Sequence, residues 1–281
     1  MKNVLAGFLA VLLTGTSAIA ADLYQAEPAP AYVDAPEVSV TQASGWYLRG
    51  DVGYSFNHMR GAKYFQGSNS NETDFDRTSI KDSAVLGGGI GYQVNNYLRT
   101  DLTFDYLTKS DFKGSTSGVC GDGIGDPFVA CSSSDKASLR AYSLMANVYV
   151  DLGTYSYFTP YIGAGIGGSY VKWNNLRNTI CDNPYSPGCG TTEHHGKGDW
   201  RLSYALMAGT SIDVTCNLKA DIGYRYRRIS GGDMFGYADN GGPGRDKGFD
   251  SHEARVGARY VFGGCDAPVA YEPPAEPIVY K

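Results

Sequence analysis

Eight stretches of the chain alternate apolar and polar residues with a period of two, which is the pattern of β-strands. Successive side chains of a strand point to opposite faces, so each stretch has an aromatic and aliphatic face and a face of Gly, Ser, Asp and Arg. A soluble sandwich would bury the apolar face, whereas an outer-membrane barrel turns it to lipid and keeps the polar face inside. The stretches lie at about 45–57, 83–94, 98–106, 137–152, 160–170, 201–213, 218–227 and 252–262.

The N-terminus decides between these two folds. Lys2 precedes an apolar run over residues 4–13, and the small residues Ala18 and Ala20 frame a cleavage site. The run is shorter than the ~20 residues that a transmembrane helix needs. We therefore predict a secretory signal peptide and, for the exported chain, an all-β fold: an eight-stranded antiparallel transmembrane β-barrel in the outer membrane of a Gram-negative cell.

Pro-rich segments without any period flank the alternating region, and they predict extended, semi-rigid tails. The predicted organisation is a signal peptide over 1–20, a Pro/Ala-rich periplasmic linker over 21–44, the outer-membrane barrel over 45–263 and a Pro-rich periplasmic tail over 264–281.

The connections between the predicted strands alternate between long and tight. Outer-membrane barrels have long outer loops and short periplasmic turns, so the asymmetry predicts four surface loops and periplasmic termini. The long connections are polar and rich in Gly, Ser and Asn, at 60–82, 109–136, 174–199 and 231–250; the tight ones are 95–96, 153–157 and 215–217.

The polar faces of the strands carry charges of both signs in near balance. A lumen of eight strands is only wide enough to be filled by side chains, and buried charges must pair because an unpaired one is very costly. The sequence therefore predicts a plug of salt bridges, with a narrow channel as the alternative. The inward charges are Arg49, Arg99, Arg201, Lys219, Arg225, Arg227, Arg255 and Arg259 against Asp51, Asp101, Asp105, Asp151, Asp213, Asp221 and Glu253.

The six cysteines of an exported chain favour disulfides over metal ligands. Their positions in the predicted topology place two in the second outer loop, two in the third, and two beside the periplasmic end. The predicted pairs are Cys120 with Cys131, Cys181 with Cys189, and Cys216 with Cys265.

Two further side-chain groups are candidates for chemistry. The adjacent His194 and His195 in an outer loop offer a site for hemin or a divalent metal as an alternative to simple solvation. The run Ser251, His252, Glu253 contains nucleophile, base and acid, but in a strand the histidine faces away from both neighbours. We therefore expect no enzyme activity and no cofactor, and the net charge of −5 gives no indication of nucleic-acid binding.

The closing strand resembles the C-terminal signal read by the barrel assembly machinery, through Arg255, Gly257, Tyr260 and Phe262, although 19 residues follow the phenylalanine. The chain from 45 to 262 resembles the small eight-stranded surface-antigen (opacity-protein-like) family of alphaproteobacterial outer-membrane proteins. The resemblance rests on the signal peptide, the mature start at Ala21 and Asp22, the segments 45–54 and 159–165, and the closing strand.

Members of such families include structural envelope proteins, surface antigens, host-cell adhesins and hemin binders. In some of them the mature N-terminus is joined to peptidoglycan, and by resemblance Ala21 would supply the amine, with Asp22 next to it. The expected function is thus a structural barrel and surface antigen that supports envelope integrity. Its expected partners are outer-membrane lipid, the assembly machinery and peptidoglycan. The alternative is a loop-borne site for hemin or host surfaces, and a narrow, porin-like channel is the third hypothesis.

Overall fold

The computed structural model describes residues 45–65, 71–120, 129–181, 189–238 and 241–265. These residues form thirteen strands: β1 (Gly45–Met59), β2 (Ala62–Phe65), β3 (Glu72–Asp74), β4 (Arg77–Ile80), β5 (Ser83–Gln93), β6 (Leu98–Cys120), β7 (Val129–Asp151), β8 (Phe158–Trp173), β9 (Leu176–Ile180), β10 (Gly190–His194), β11 (Gly198–Asp213), β12 (Leu218–Phe235) and β13 (Gly244–Val261). Within the described ranges, no helix has the length and apolarity needed to cross a membrane.

Eight of the strands close into a ring, in which every pairing is antiparallel. The order around the ring is β1, β5, β6, β7, β8, β11, β12 and β13, and β13 returns to β1 with Met59 opposite Phe249 and Tyr47 opposite Val261. The predicted all-β fold with eight barrel strands is confirmed. The five short strands lie in the long connections and pair with the outer ends of the barrel strands or with one another.

The two faces of the barrel strands follow the alternation of the sequence. In β1, for example, Leu48 and Val52 are exposed, whereas Tyr47 and Asp51 are buried. Since the outer face meets lipid in an outer-membrane barrel, apolar residues outside and polar residues inside are the arrangement of lowest free energy. The predicted strand phase is therefore confirmed.

Aromatic side chains form two girdles around the outside of the barrel, one near each end of the lipid-facing band. Such rings suit the interface because one end of each side chain is apolar and the other is polar. Trp46 and Phe56, at the two ends of the band in β1, are ten residues apart, or about 25 Å along the membrane normal for a strand tilted by ~40°. The turn-end girdle contains Trp46, Tyr92, Tyr97, Tyr155, Tyr157, Phe158, Tyr260 and Phe262; the outer girdle contains Tyr54, Phe56, Tyr106, Tyr142, Tyr170, Trp200, Tyr224 and Tyr226.

Glycines on the inner face of β5 leave room for larger side chains from other strands. A Cβ atom placed on Gly87 would overlap the Arg255 guanidinium and lie 2.5 Å from the Asp105 carboxylate. A Cβ atom on Gly91 would overlap the Tyr47 ring. These glycines therefore allow bulky and charged groups to fill a narrow lumen.

The long connections differ from the polar loops that the sequence predicts. β6 and β7 remain paired far beyond the outer girdle, from Ser110 opposite Leu139 to Cys120 opposite Val129. β12 and β13 also extend, and β12 reaches Phe235 instead of ending near residue 227. The prediction that 60–82, 109–136, 174–199 and 231–250 are wholly loop is wrong. Apolar side chains in all four pack into a common core, and this core supports further strand pairing.

Candidate functional site

The lumen is filled by three groups of side chains in succession. At the turn end, Tyr149 and Tyr161 lie edge to face with their ring centroids 5.7 Å apart. The Arg99 guanidinium lies 4.3 Å from the first ring centroid and 4.4 Å from the second, and Arg99 Nε donates to Asp151 over 3.0 Å. A desolvated cation between two aromatic faces is strongly attracted to both. This group closes the turn end.

The middle of the lumen contains a network of buried charges centred on Asp105. Its carboxylate accepts hydrogen bonds from Arg225 and Arg255, each over 2.6 Å, and lies 3.7 Å from Arg227. Glu253 lies 2.5 Å from Arg227 and 3.2 Å from Arg255. Each acid thus contacts more than one arginine, and the network has the pairing that buried charges need.

The other predicted lumen charges also have partners of opposite sign. Arg49 pairs with Asp51 and Asp101, Arg255 with Asp51, Arg259 with Asp221, and Lys219 with Asp213. Beside this network, a cavity of about 20 Å³ lined by Arg49, Asp51 and Tyr149 has room for a single water molecule. The predicted salt-bridged plug agrees with this arrangement.

The outer end of the lumen is occupied by an apolar core that the sequence analysis missed. At its centre Trp173 is buried against Phe112, with ring centroids 5.5 Å apart at right angles. Trp173 Nε1 donates to Asp246 over 3.1 Å, and Asp246 also pairs with Arg201 over 2.7 Å. The buried members of this outer core are Met59, Ala62, Phe75, Ile80, Val85, Leu107, Phe112, Leu139, Ala141, Val171, Trp173, Leu176, Ile229, Met234, Phe235 and Phe249.

A reversal of the hydrophobic pattern marks where the outer core begins. Inside the lipid-facing band, apolar side chains point outward, but beyond the outer girdle they point inward. Leu139 and Trp173 are buried, and their neighbours Arg140 and Lys172 are exposed. The reversal follows from the change of solvent outside the barrel from lipid to water. The signal was present in the sequence as Phe112, Trp173 and Phe249 between polar residues.

A buried polar cluster lies further out, where β7 pairs with β9. The Asp135 carboxylate accepts hydrogen bonds from Asn178 Nδ2 over 2.7 Å and from Ser133 Oγ over 3.0 Å. Burial raises the pKa of Asp135, against the opposite effect of these two donors. The buried carboxylate is therefore hydrogen-bonded, and β7 and β9 are ordered here as strands rather than as open loop.

Two of the three predicted cysteine pairs are present as disulfides. Cys181 and Cys189 form a disulfide with their Cα atoms 4.2 Å apart, and Cys216 and Cys265 form another with Cα atoms 5.0 Å apart. Cys131 is also disulfide-bonded. The side chain of its predicted partner, Cys120, lies outside the described residues, so that pair stays a prediction. The second disulfide joins the turn before β12 to the end of β13, and the first closes the connection between β9 and β10.

The structure separates the histidines and the serine–histidine–glutamate run. His194 is buried against Phe235, with Nδ1 2.9 Å from the Gly236 carbonyl oxygen, whereas His195 is exposed. The two rings therefore do not converge on one ligand. Ser251 and Glu253 are buried in the lumen and His252 lies outside, as the strand alternation predicts. The described part of the chain holds no cluster of three metal-ligating side chains.

The residues of the assembly signal divide between the two faces of β13. Arg255 and Gly257 face the lumen, and Tyr260 and Phe262 belong to the turn-end girdle. Recognition of this segment by the assembly machinery stays a prediction. Ala21 and Asp22, with the rest of 1–44, and the tail 266–281 lie outside the described residues.

A closed barrel with a lipid-facing band, two aromatic girdles and a filled lumen defines the class of eight-stranded outer-membrane proteins. Residues 6–262 match the family described as "Outer membrane protein beta-barrel domain". The chain belongs to this family, and its location is the outer membrane, as predicted.

Two bacterial proteins match most of this chain. A protein of Brucella abortus (strain 2308) named only as uncharacterised is 36% identical over 283 residues, which are 89% of this chain and 95% of that protein. A Rickettsia bellii protein named "Putative adhesin" is 28% identical over 226 residues, or 76% of this chain and 87% of that protein.

Solved structures of outer-membrane proteins also match the chain. Neisserial surface protein A is 18% identical with a TM-score of 0.40, and the match covers 79% of this chain and 100% of that one. Outer membrane protein OprG from Pseudomonas aeruginosa is 13% identical with a TM-score of 0.45, covering 78% of this chain and 97% of that one.

Proposed function

We propose that this protein is a closed, non-catalytic structural barrel of the outer membrane that supports envelope integrity and presents its outer extension as a surface antigen. The observation that carries the proposal is the filled lumen, with paired charges around Asp105 and an apolar core around Trp173. As the described residues fill it, this lumen leaves no water-filled path and no pocket for a substrate. The barrel therefore acts through its two surfaces: the band that meets lipid and the extension that meets the medium.

The extension of β6 and β7 is long, and its ladder is continuous from Ser110 outward. From Tyr106 in the outer girdle, β6 runs 14 residues to Cys120, or about 45 Å along the strand. Phe112 packs into the outer core, and further out the buried Asp135 carboxylate accepts a hydrogen bond from Asn178. The described part of these two paired strands is ordered before any partner binds, which favours recognition from outside because little ordering is needed on binding.

A shortened hairpin separates the role of the barrel from the role of the extension. In a deletion strain, we expect a variant with residues 117–132 replaced by Asn-Gly to restore resistance to detergent as well as the full chain does. The new turn joins Thr116 to Ser133, which are opposite each other in the ladder and share a hydrogen bond. Antibodies raised against intact cells should bind the shortened variant much less. Failure of the folded, shortened variant to restore resistance would contradict the structural role of the barrel.

Adhesion is a second candidate function, favoured by the relative named as an adhesin and by the long paired extension of β6 and β7. The same two strains distinguish it from the first. An adhesin would lose attachment to host cells when the hairpin is shortened while its detergent resistance stays unchanged. Equal attachment of cells with the full and the shortened chain would contradict this candidate.

A covalent tether to peptidoglycan is part of the proposal, and it rests on the family resemblance at Ala21 and Asp22. The Pro-rich linker over 21–44 has 24 residues, which span up to about 70 Å at ~3 Å per residue. We expect mass spectrometry of digested, detergent-boiled sacculi to find a muropeptide joined to the peptide that begins at Ala21. Recovery of that peptide only with a free amine would contradict the tether and leave the rest of the proposal standing.

A further inference from the structure

Most cations outside the lumen pair with a carboxylate. Lys63 pairs with Glu72, Lys247 with Asp74, and both Arg60 and Arg228 with Asp250. Six cations have no ion pair to a carboxylate in the described ranges, and they all lie on the neighbouring strands β4, β6, β7, β8 and β9. These six are Arg77, Lys113, Lys136, Arg140, Lys172 and Arg177.

Five of these cations form two cross-strand rows, which we call the cation ladder (Lys113, Lys136, Arg140, Lys172 and Arg177). Arg140 lies directly opposite Lys172, and Lys136 lies opposite both Lys113 and Arg177. All five side chains are exposed, and their buried neighbours Phe112, Leu139, Trp173 and Leu176 point into the outer core. Like charges directly opposite each other in a sheet are destabilising. A bound anion between them would therefore reduce their electrostatic repulsion.

The ladder begins at the height of lipid headgroups. Arg140 and Lys172 follow the outer-girdle residues Tyr142 and Tyr170 by two positions on the same outward face, or about 7 Å along the strands. Lys136 lies four residues beyond Arg140, about 13 Å further along its strand. The lower row is therefore continuous with the lipid-facing surface, and the upper row reaches above it.

Carboxylates near the ladder are already engaged or lie at its far edge. Asp111 on β6 pairs with Lys81 and Lys109 at 3.6 and 3.4 Å. Glu193 on β10 is opposite Arg177, where it accepts a hydrogen bond from Asn175 over 2.9 Å. Neither lies within ion-pair distance of Arg140 or Lys172, so no carboxylate of the described residues pairs with the lower row.

We propose that the cation ladder binds the phosphate groups of a phosphorylated glycolipid in the outer leaflet. Arginine matches phosphate oxygens with a pair of parallel donors, and lysine adds a mobile point charge. A lipid bound here would have its acyl chains against the apolar band below the ladder and its phosphates against Arg140 and Lys172. Continuity with the outer girdle favours this membrane lipid over a soluble polyanion, for which height above the membrane would not matter.

Titration of the refolded mature chain in detergent tests the proposal, with bisphosphorylated lipid A as the probe and its dephosphorylated form as the comparison. We expect Arg140→Gln/Lys172→Gln to weaken binding of the phosphorylated probe by about 30-fold, or about fivefold per charge. The control variant Lys63→Gln/Lys247→Gln removes two paired cations from β2 and β13, across the barrel from the ladder. It should leave binding unchanged. The charge-preserving Arg140→Lys/Lys172→Arg variant should retain binding.

Several results would overturn the proposal. Equal affinity for the two forms of lipid A would exclude recognition of phosphate, and equal losses in the two glutamine variants would exclude this location. Loss of binding to the soluble sulfated polysaccharide heparin in Arg140→Gln/Lys172→Gln, with lipid A binding unchanged, would assign the ladder to a polysaccharide instead. The heat-dependent shift in gel mobility verifies that each variant is folded. If the first variant does not fold, Arg140→Gln and Lys172→Gln are measured singly, and each should weaken binding about fivefold.

Discussion

Asp105→Ala is expected to lower the free energy of unfolding by about 3–5 kcal/mol, because it leaves buried arginines without their shared counter-ion. Arg225 and Arg255 each donate to this carboxylate over 2.6 Å, and Arg227 lies 3.7 Å away. In the variant, Glu253 and Asp51 would be the remaining acids near three guanidinium groups. Urea unfolding of the barrel in lipid vesicles, followed by gel mobility, measures the difference.

A matched control lies on the same strand. Asp111 pairs with Lys81 and Lys109, but its carboxylate is 45% exposed. Asp111→Ala should therefore cost less than about 1 kcal/mol, as exposed ion pairs do. If the two variants lose stability equally, the charges in the lumen are hydrated and the plug is not a dry network.

Trp173→Ala is expected to cost about 3–5 kcal/mol, because it opens a cavity in the outer core. The indole is 2% exposed, packs against Phe112 and donates to Asp246. Its removal also weakens the link between the core and the pair formed by Arg201 and Asp246. Loss of the β-sheet signal in circular dichroism as urea is raised gives the stability of the variant.

Trp200→Ala is the control of equal size. Trp200 belongs to the outer girdle and is 65% exposed to the surroundings of the barrel. Its removal leaves no internal cavity, so the loss should be clearly smaller than for Trp173. The reverse order of the two losses would mean that the outer end is held by the membrane interface rather than by its core.

The sequence predicted the barrel because one physical rule governs every membrane-embedded position. Lipid outside and a narrow lumen inside force strict alternation, so Leu48 and Asp51 could be assigned to faces without coordinates. The same alternation assigned the charged residues to the lumen. The disulfide between Cys216 and Cys265 followed from topology, because the turn before β12 and the end of β13 meet at one rim.

The outer end was harder to predict, because the rule changes there. Beyond the outer girdle water replaces lipid, and the inward positions become apolar, as at Phe112 and Leu139. If only outward apolar and aromatic residues are taken as the sign of a barrel strand, such segments are assigned to loops. Asp246 was also missed as the partner of Arg201, since it lies in a segment predicted to be loop. The cation ladder depends on the register of β7 against its neighbours, which spacing along the chain does not give.

The proposed function requires a lumen that is closed at both ends, by the tyrosine and arginine group at the turn end and by the outer core at the other. Conductance of the purified mature chain in a planar lipid bilayer tests it most directly. We predict no steady current at moderate voltage, at protein levels where a porin inserted in parallel gives discrete steps. A reproducible ohmic conductance that scales with the number of inserted barrels would contradict the closed lumen and favour the narrow channel.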